Sequence, residues 1–196
     1  MTLRIETAAS ADIPALLPDL ARLRIRVFGD FPYLYKGDLA YEERYLAAYS
    51  SSPGAMIVTV RDGPDLVGAA TGAPLGGHDR AFAEPLARAG HDPDAVFYCA
   101  ESVLLPAYRG RGVGHAFFDH REAMARSLGL AASCFCAVIR PDDHPARPRD
   151  YTPLDGFWRK RGYAPLPGVI ARYSWRDTGD AHETEKPMQV WLRELD

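Results

Sequence analysis

Between Tyr108 and Glu122 the chain reads YRGRGVGHAFFDHRE, with glycine at three of five consecutive positions just before a stretch of helical pattern. Each glycine inside a regular element costs about 0.5–1 kcal/mol relative to alanine. A chain that accepts this three times at the mouth of a helix needs backbone amides close to something. The free N–H groups and the dipole of a helix N-terminus suit a phosphate or pyrophosphate there. Arg109 and Arg111 add guanidinium groups that pair with phosphate oxygens. A plain glycine-rich turn from strand to helix is the competing reading. The P-loop pattern is absent, no G-x-S-x-G occurs, and Gly110, Gly112 and Gly114 are spaced G-x-G-x-G instead of the dinucleotide-binding G-x-G-x-x-G. A Rossmann-type nucleotide binder is thereby disfavoured, the more so because the strand feeding the motif follows three earlier strands instead of opening a βαβ unit.

The surrounding pattern is that of a mixed α/β protein. TLRIET opens as a short strand. Ile13, Leu16, Leu20, Leu23 and Val27 recur at helical spacing, with Asp12 as N-cap, Pro14 in the first turn and Pro18 placed to kink or delay the helix. After the aromatic loop GDFPYLYKG a second helix carries Leu39, Leu46 and Tyr49 inward. AMIVTVRDG and DLVGAATGAPL read as strands joined by a DGPD turn. Residues 76–95 form a polar insertion with room for one short helix. AVFYCAESVLLP is the strand that feeds the glycine turn. On the helix beyond it Val113, Phe117, Met124 and Leu128 make an apolar stripe, and His120 falls inside it as a core histidine. His115, Asp119, Glu122 and Arg126 are expected on the solvated face. AASCFCAVIRP, a short helix in LDGFWRKRGY, and the strands VIARYSW and MQVWLREL complete the order βααβββαβαββ. That order predicts about seven mixed strands flanked by about four helices in one domain spanning residues 1–196.

Length and composition set outer bounds. At 196 residues, 47% hydrophobic and net charge −3, the chain is an ordinary globular sequence with interspersed charge, which argues against a nucleic-acid partner. No apolar run approaches a membrane span and the first residues lack a signal-peptide pattern, so a cytoplasmic location without membrane contact is expected. Cys99, Cys134 and Cys136 have no metal-ligand spacing. They are read as buried, reduced thiols, and no metal is expected.

The run SVLLPAYRGRGVG resembles the cofactor motif of the GNAT superfamily of acyl-CoA-dependent N-acyltransferases. Arg109, Gly112 and Gly114 meet its Q/R-x-x-G-x-G/A pattern, and FWRKRGY is similar to the family's last short helix. The resemblance implies acetyl-CoA as cosubstrate. Main-chain groups of Gly110, Arg111, Gly112, Val113, Gly114 and His115 would bind its pyrophosphate. Val103, Leu104 and Leu105 would pair with the pantetheine arm where strand four splays from strand five. It further implies direct attack of an amine on the thioester, with an enzyme group accepting the ammonium proton.

Glu101, a lone carboxylate in an apolar strand just before the splay, is the candidate base. A hydrogen-bonded structural carboxylate is its competing reading, and a bulge would flip its side chain. Many relatives carry a tyrosine acid where this chain has Trp158, so Tyr151 or an ordered water is left as proton donor, and Tyr163 reads as core. Phe31, Tyr33 and Tyr35 in the loop between the first two helices are candidate acceptor-site walls. The loop of residues 140–150, with Arg140, Asp142, Asp143, His144, Arg147 and Arg149, offers either charged recognition or a solvated surface. The expected activity is N-acetylation of a small primary amine. A protein acceptor and a non-catalytic acyl-CoA sensor are the alternatives, and a homodimer is compatible with the sequence.

Overall fold

The computed structural model describes residues 3–8, 10–77 and 80–196. Seven strands form one sheet: β1 (Arg4–Thr7), β2 (Met56–Asp62), β3 (Asp65–Pro74), β4 (Val96–Leu104), β5 (Ala132–Val138), β6 (Ala164–Trp175) and β7 (Thr184–Glu194). Their order is β1-β2-β3-β4-β5-β7-β6, and every pairing is antiparallel except β4 with β5. Among the described residues five α-helices accompany them: α1 (Ile13–Phe28), α2 (Leu39–Ser51), α3 (Arg80–Arg88), α4 (Val113–Ser127) and α5 (Asp155–Lys160). The extra helix, α3, lies in the 76–95 insertion and seats Leu86 in the core.

Period-two alternation sends each strand's side chains to opposite faces. Val58, Val60, Ala70, Phe97 and Cys99 pack with Val113, Phe117 and Phe118 of α4. Ile57, Ala69 and Val103 pack on the other face with Leu20 and Leu23 of α1 and Leu46 of α2. Cys134 and Cys136 share one face, as their spacing requires, and all three cysteines are buried and free. Burial holds the Cys136 thiol up at about 12 and pushes Cys134 upward as well. Helix α1 runs through Pro18 without a break. The backbone hydrogen bond lost there costs about 3 kcal/mol, which burial of Leu16, Leu20 and Leu23, at about 1.5–3 kcal/mol each, outweighs.

Three helix expectations are corrected. Leu39 and Leu128 are exposed instead of inward; Asp38, not an apolar residue, organises the start of α2 by accepting the Tyr41 amide at 2.9 Å. The Tyr49 side chain lies outside the described residues. Glu122 is 4% exposed, not solvated. It sits one turn beyond Phe118 and so points at the core. Its Oε2 receives Arg161 and Arg193, both at 2.9 Å, and its Oε1 accepts from the Tyr163 hydroxyl at 3.2 Å. Tyr163 itself is core, as expected. His120 is half-buried, with Nδ1 3.0 Å from the Thr7 hydroxyl.

Removing one member of a buried ion cluster strands its partners in a poorly solvated site. Glu122→Ala should therefore lower unfolding free energy by about 3 kcal/mol in urea titration. A loss below about 1 kcal/mol would mean that both arginines find water or new partners at no cost.

Candidate active site

The β4–β5 pairing is short. Val96, Phe97 and Tyr98 pair with Ala132, Ser133 and Cys134, and beyond them the two strands part. β4 continues along β3 as far as Gly68↔Leu104, whereas β5 continues along β7 as far as Val138↔Met188. Two facing strand edges are thus left without each other as partners. The parting coincides with an irregularity between β3 and β4, where the register shifts between Thr71↔Glu101 and Ala73↔Tyr98 and places an extra residue in β4.

Opposite residues in an antiparallel pair alternate between hydrogen-bonded and non-bonded types. The Leu105 amide donates to Val67 O at 3.0 Å, so the Val103–Ala69 pair also faces β3. The main-chain groups of Ser102 and Leu104 then face the gap. Of the three backbone residues expected to pair with a ligand, Leu104 is the one turned toward it, and Ser102 joins it.

The glycine turn closes one end of the gap. Gly110 and Gly112 hold φ of +73° and +80°, a left-handed conformation that side-chain-bearing residues rarely adopt. Gly112 is the N-cap of α4 and offers no side chain to the helix amides. The first-turn amides of a helix have no intrahelical acceptor, and here those of Val113 and Gly114 stay free for a ligand. The His115 amide instead donates to Gly112 O at 3.0 Å, and that of Arg109 to Pro106 O at 3.1 Å. A Cβ on Gly114 would meet Phe157 Cζ at 3.2 Å, so that glycine serves the packing of α5 on α4. Arg109 and Arg111 are exposed. Arg111 lies 5.3 Å over the Tyr108 ring, whose hydroxyl donates to Asp62 at 3.0 Å and ties the turn to the β2–β3 hairpin.

On the α1 face Glu101 enters a buried charged cluster. Its Oε2 contacts Arg24 Nη1 and accepts from the Thr71 hydroxyl at 3.4 Å. Arg24 also pairs through Nε with Glu42, which is fully buried. The second Glu42 oxygen accepts from the Tyr35 hydroxyl at 2.7 Å. The Arg24 guanidinium lies 5.2 Å and 4.9 Å from the Phe28 and Tyr45 ring centroids. Glu101 is therefore structurally engaged and also borders the cleft, with both of its polar contacts on one oxygen.

The aromatic loop is held from behind by Arg140. That side chain donates to Pro32 O and Tyr33 O, each at 2.8 Å, and makes a two-point pair with Asp177 at 2.8 and 3.0 Å. Trp175 Nε1 donates to Tyr33 O at 3.0 Å, and Lys186 is 3.4 Å from Asp177. Leu34 sits at φ +55°, an unfavourable angle for leucine that this web of bonds holds in place. Tyr33 packs 4.8 Å from Phe28, and burial pushes its phenol upward. Burial does the same to Tyr35, aided by its bond to Glu42. Within the 140–150 loop, Arg140 is thus a half-buried clamp, while Arg147 covers Phe31 and Tyr151 at 6.0 and 5.0 Å.

Tyr151 meets the edge of Phe31 at 4.8 Å, beside the aromatic loop, and burial raises its phenol. Trp158 sits on the α4 face between Phe135, at 4.9 Å, and Trp191, at 5.1 Å. An indole N–H donates a hydrogen bond but no proton. Glycine turn, gap and aromatic loop line one continuous cleft of about 2020 Å³, well beyond the usual 300–1,000 Å³ of a single small-molecule pocket. Arg24, Glu42 and Asp177 escaped the sequence reading, since nothing local marks which charged residues of a helix or loop will be buried, and Arg140, read there as recognition or solvated surface, instead holds the aromatic loop. Among the described residues no group of three His, Cys, Asp or Glu is disposed to hold a metal, and no helix is long and apolar enough to cross a membrane.

Comparison with known proteins agrees with this architecture. Residues 20–149 match the model of the acetyltransferase (GNAT) family. No curated protein sequence matches. Among solved structures, an N-acetyltransferase from Staphylococcus aureus Mu50 superimposes with TM-score 0.61 at 10% identity, covering all of both chains. The ribosomal-protein-S18-alanine N-acetyltransferase from Escherichia coli gives 0.60 at 12% identity, over 100% of this chain and 95% of that one. Salmonella typhimurium yncA, solved with its cofactor acetyl-CoA, gives 0.59 at 13% identity with the same coverage. At these identities the likeness is one of fold, whereas the match of the family model extends from α1 through the glycine turn to the loop after β5: the chain belongs to the GNAT acetyltransferase family.

Proposed function

We propose that this protein is one catalytic domain that transfers an acetyl group from acetyl-CoA to the primary amine of a small molecule. The observation that carries the reading is the gap between β4 and β5 opening onto the α4 N-terminus within one cleft. A pyrophosphate suits the free amides of Gly110–Gly114 and the positive end of α4. Arg109 and Arg111 stand at the rim to attract it. The extended pantetheine arm, itself rich in amide groups, suits the unpaired edge of β4 at Ser102 and Leu104. That arm would act as the missing strand. When bound, the thioester supplies the activated acyl carbon.

The acceptor enters from the opposite end, between the loop of Phe31, Tyr33 and Tyr35 and the 140–150 segment. The tyrosine hydroxyls are poor donors there: Tyr35 spends its own on Glu42, and Tyr33 is half-buried with a phenol pushed up. Recognition then falls to ring faces, which favour an acceptor with an apolar or aromatic body. Attachment of a cation to such a face is worth about 0.5–2 kcal/mol. Glu101 is the base that takes the ammonium proton, held in orientation by Arg24 and Thr71. Tyr151, on the acceptor side, is poorly sited to replace a donor on the α5 side. A non-catalytic acyl-CoA sensor would keep the cleft and would need Glu101 only as the partner of Arg24 and Thr71.

Thiol release from acetyl-CoA across an amine panel tests the reading. Turnover with any small amine excludes the sensor. Glu101→Gln should then lower kcat by about 10²–10⁴. Activity within a few-fold of wild type would make Glu101 structural only.

Arg140→Gln removes the clamp on Pro32 and Tyr33 without touching the cofactor end. The acceptor KM should rise about tenfold or more, as for loss of one or two charge-assisted bonds, with the acetyl-CoA KM unchanged. Equal rises in both constants would instead mean a general loosening of the fold.

A further inference from the structure

The family's phenol is missing at position 158, yet cleavage of a thioester leaves an electron pair on sulfur that needs stabilisation. The cleft holds a donor that neither the motif nor the resemblance marks. Ser102 follows Glu101 in β4 and, by strand alternation, points to the opposite face, the one covered by α4. It is exposed on the cleft wall, past the last β4–β5 pair. Its Oγ accepts a hydrogen bond from Arg121 Nη2 at 3.0 Å.

Arg121 is an unusual neighbour. It is 1% exposed, and its other bonds run to carbonyl oxygens: Phe117 O at 3.1 Å, Thr71 O at 3.3 Å and Glu101 O at 2.9 Å. Among the described residues no carboxylate forms an ion pair with it. An arginine stays charged at any accessible pH, so a full positive charge is buried against the strand where β4 leaves β5. Isolated buried charge is costly, and three carbonyls and the Phe118 ring, 4.8 Å from the guanidinium, offset it only in part. The residual field points at developing negative charge nearby. Because the cation donates to the Ser102 oxygen, the serine proton is turned elsewhere and its donor strength rises.

We infer that Ser102, polarised by Arg121, donates the hydrogen bond that stabilises the departing coenzyme A thiolate, in place of the absent tyrosine. The inference rests on the acetyl-CoA reading above. The free amine nitrogen bonds to the acyl carbon, the C–S bond breaks with its electron pair on sulfur, and the one proton that the nitrogen sheds after attack passes to Glu101. The thiolate leaves hydrogen-bonded to Ser102 and takes its proton from water on release. Ser102 acts on the α4 side and Glu101 on the α1 side, so donor and base stand on opposite faces of one strand. The charged groups bonded to this segment are Arg121 behind Ser102 and Arg24 beside Glu101.

Ser102→Ala tests this with two readouts on the intact protein. The kcat for acetyl transfer should fall about 10–100-fold, the range for a hydrogen bond to a charged group. The thiol of bound coenzyme A, titrated by thiolate ultraviolet absorbance, should ionise about one pH unit or more above its wild-type value. Ser102→Thr retains the hydroxyl and should recover both. Arg121→Lys should move the thiol titration in the same direction as Ser102→Ala, and the serine variants keep the test decisive if the buried replacement fails to fold. A wild-type rate and an unmoved thiol titration in Ser102→Ala would overturn the assignment while leaving the acetyl-CoA reading intact. A wild-type protein that binds no coenzyme A would overturn both.

Discussion

Everything distinctive about this molecule follows from the point at which β4 and β5 stop pairing. Three parallel pairs hold the centre of the sheet together, and then each strand is claimed by its outer neighbour, β3 on one side and β7 on the other. Sheets rarely leave interior backbone groups unpaired, because a buried N–H or C=O without a partner is expensive. The gap is tolerated because it opens into the cleft, where its backbone groups are not sealed from solvent, and it is useful because an extended ligand can complete the ladder. The extra residue in β4 at the parting has a second effect: it sets which face Glu101 and Ser102 reach.

Arginines stabilise the edges of this opening, each in a different way. Arg24 ties α1 to α2 and β4 through two carboxylates. Arg140 ties the aromatic loop to the ends of β5 and β6 through carbonyls and Asp177. Arg121 has carbonyls, a hydroxyl and the face of the Phe118 ring, with no carboxylate paired to it among the described residues. Only a planar, multiply donating cation could hold three carbonyl oxygens and a hydroxyl at once. Such networks are poor sources of net stability. Their value here is geometric, since they fix loops and strand ends that apolar packing alone would leave free to shift.

The parts legible in the sequence were those with local causes. The glycine turn announced itself because left-handed φ is a local demand, and the strands did so because alternation is a local pattern. Glu101 stood out as one carboxylate among apolar residues. By contrast, Arg24 lies next to a clean leucine stripe and reads as a solvated helix residue until Glu42 and Glu101 are folded against it. Glu122 was misplaced for the same reason: its partners, Arg161 and Arg193, are 39 and 71 positions away in the chain. Ser102 was invisible because its face depends on the irregularity in β4, which no spacing rule reveals. Helix α3 was half-seen, since it is nine residues long, carries Pro85 inside it and sits in a polar insertion rich in glycine.

The central claim, that the β4 edge and the α4 N-terminus together seat one extended ligand, is tested most directly by amide hydrogen exchange with and without coenzyme A. Protection should appear at Ser102 and Leu104 and across residues 110–114, while Val103 and Leu105, already bonded within the sheet, change little. Protection confined to other parts of the molecule, or at residues 110–114 without any along β4, would contradict it.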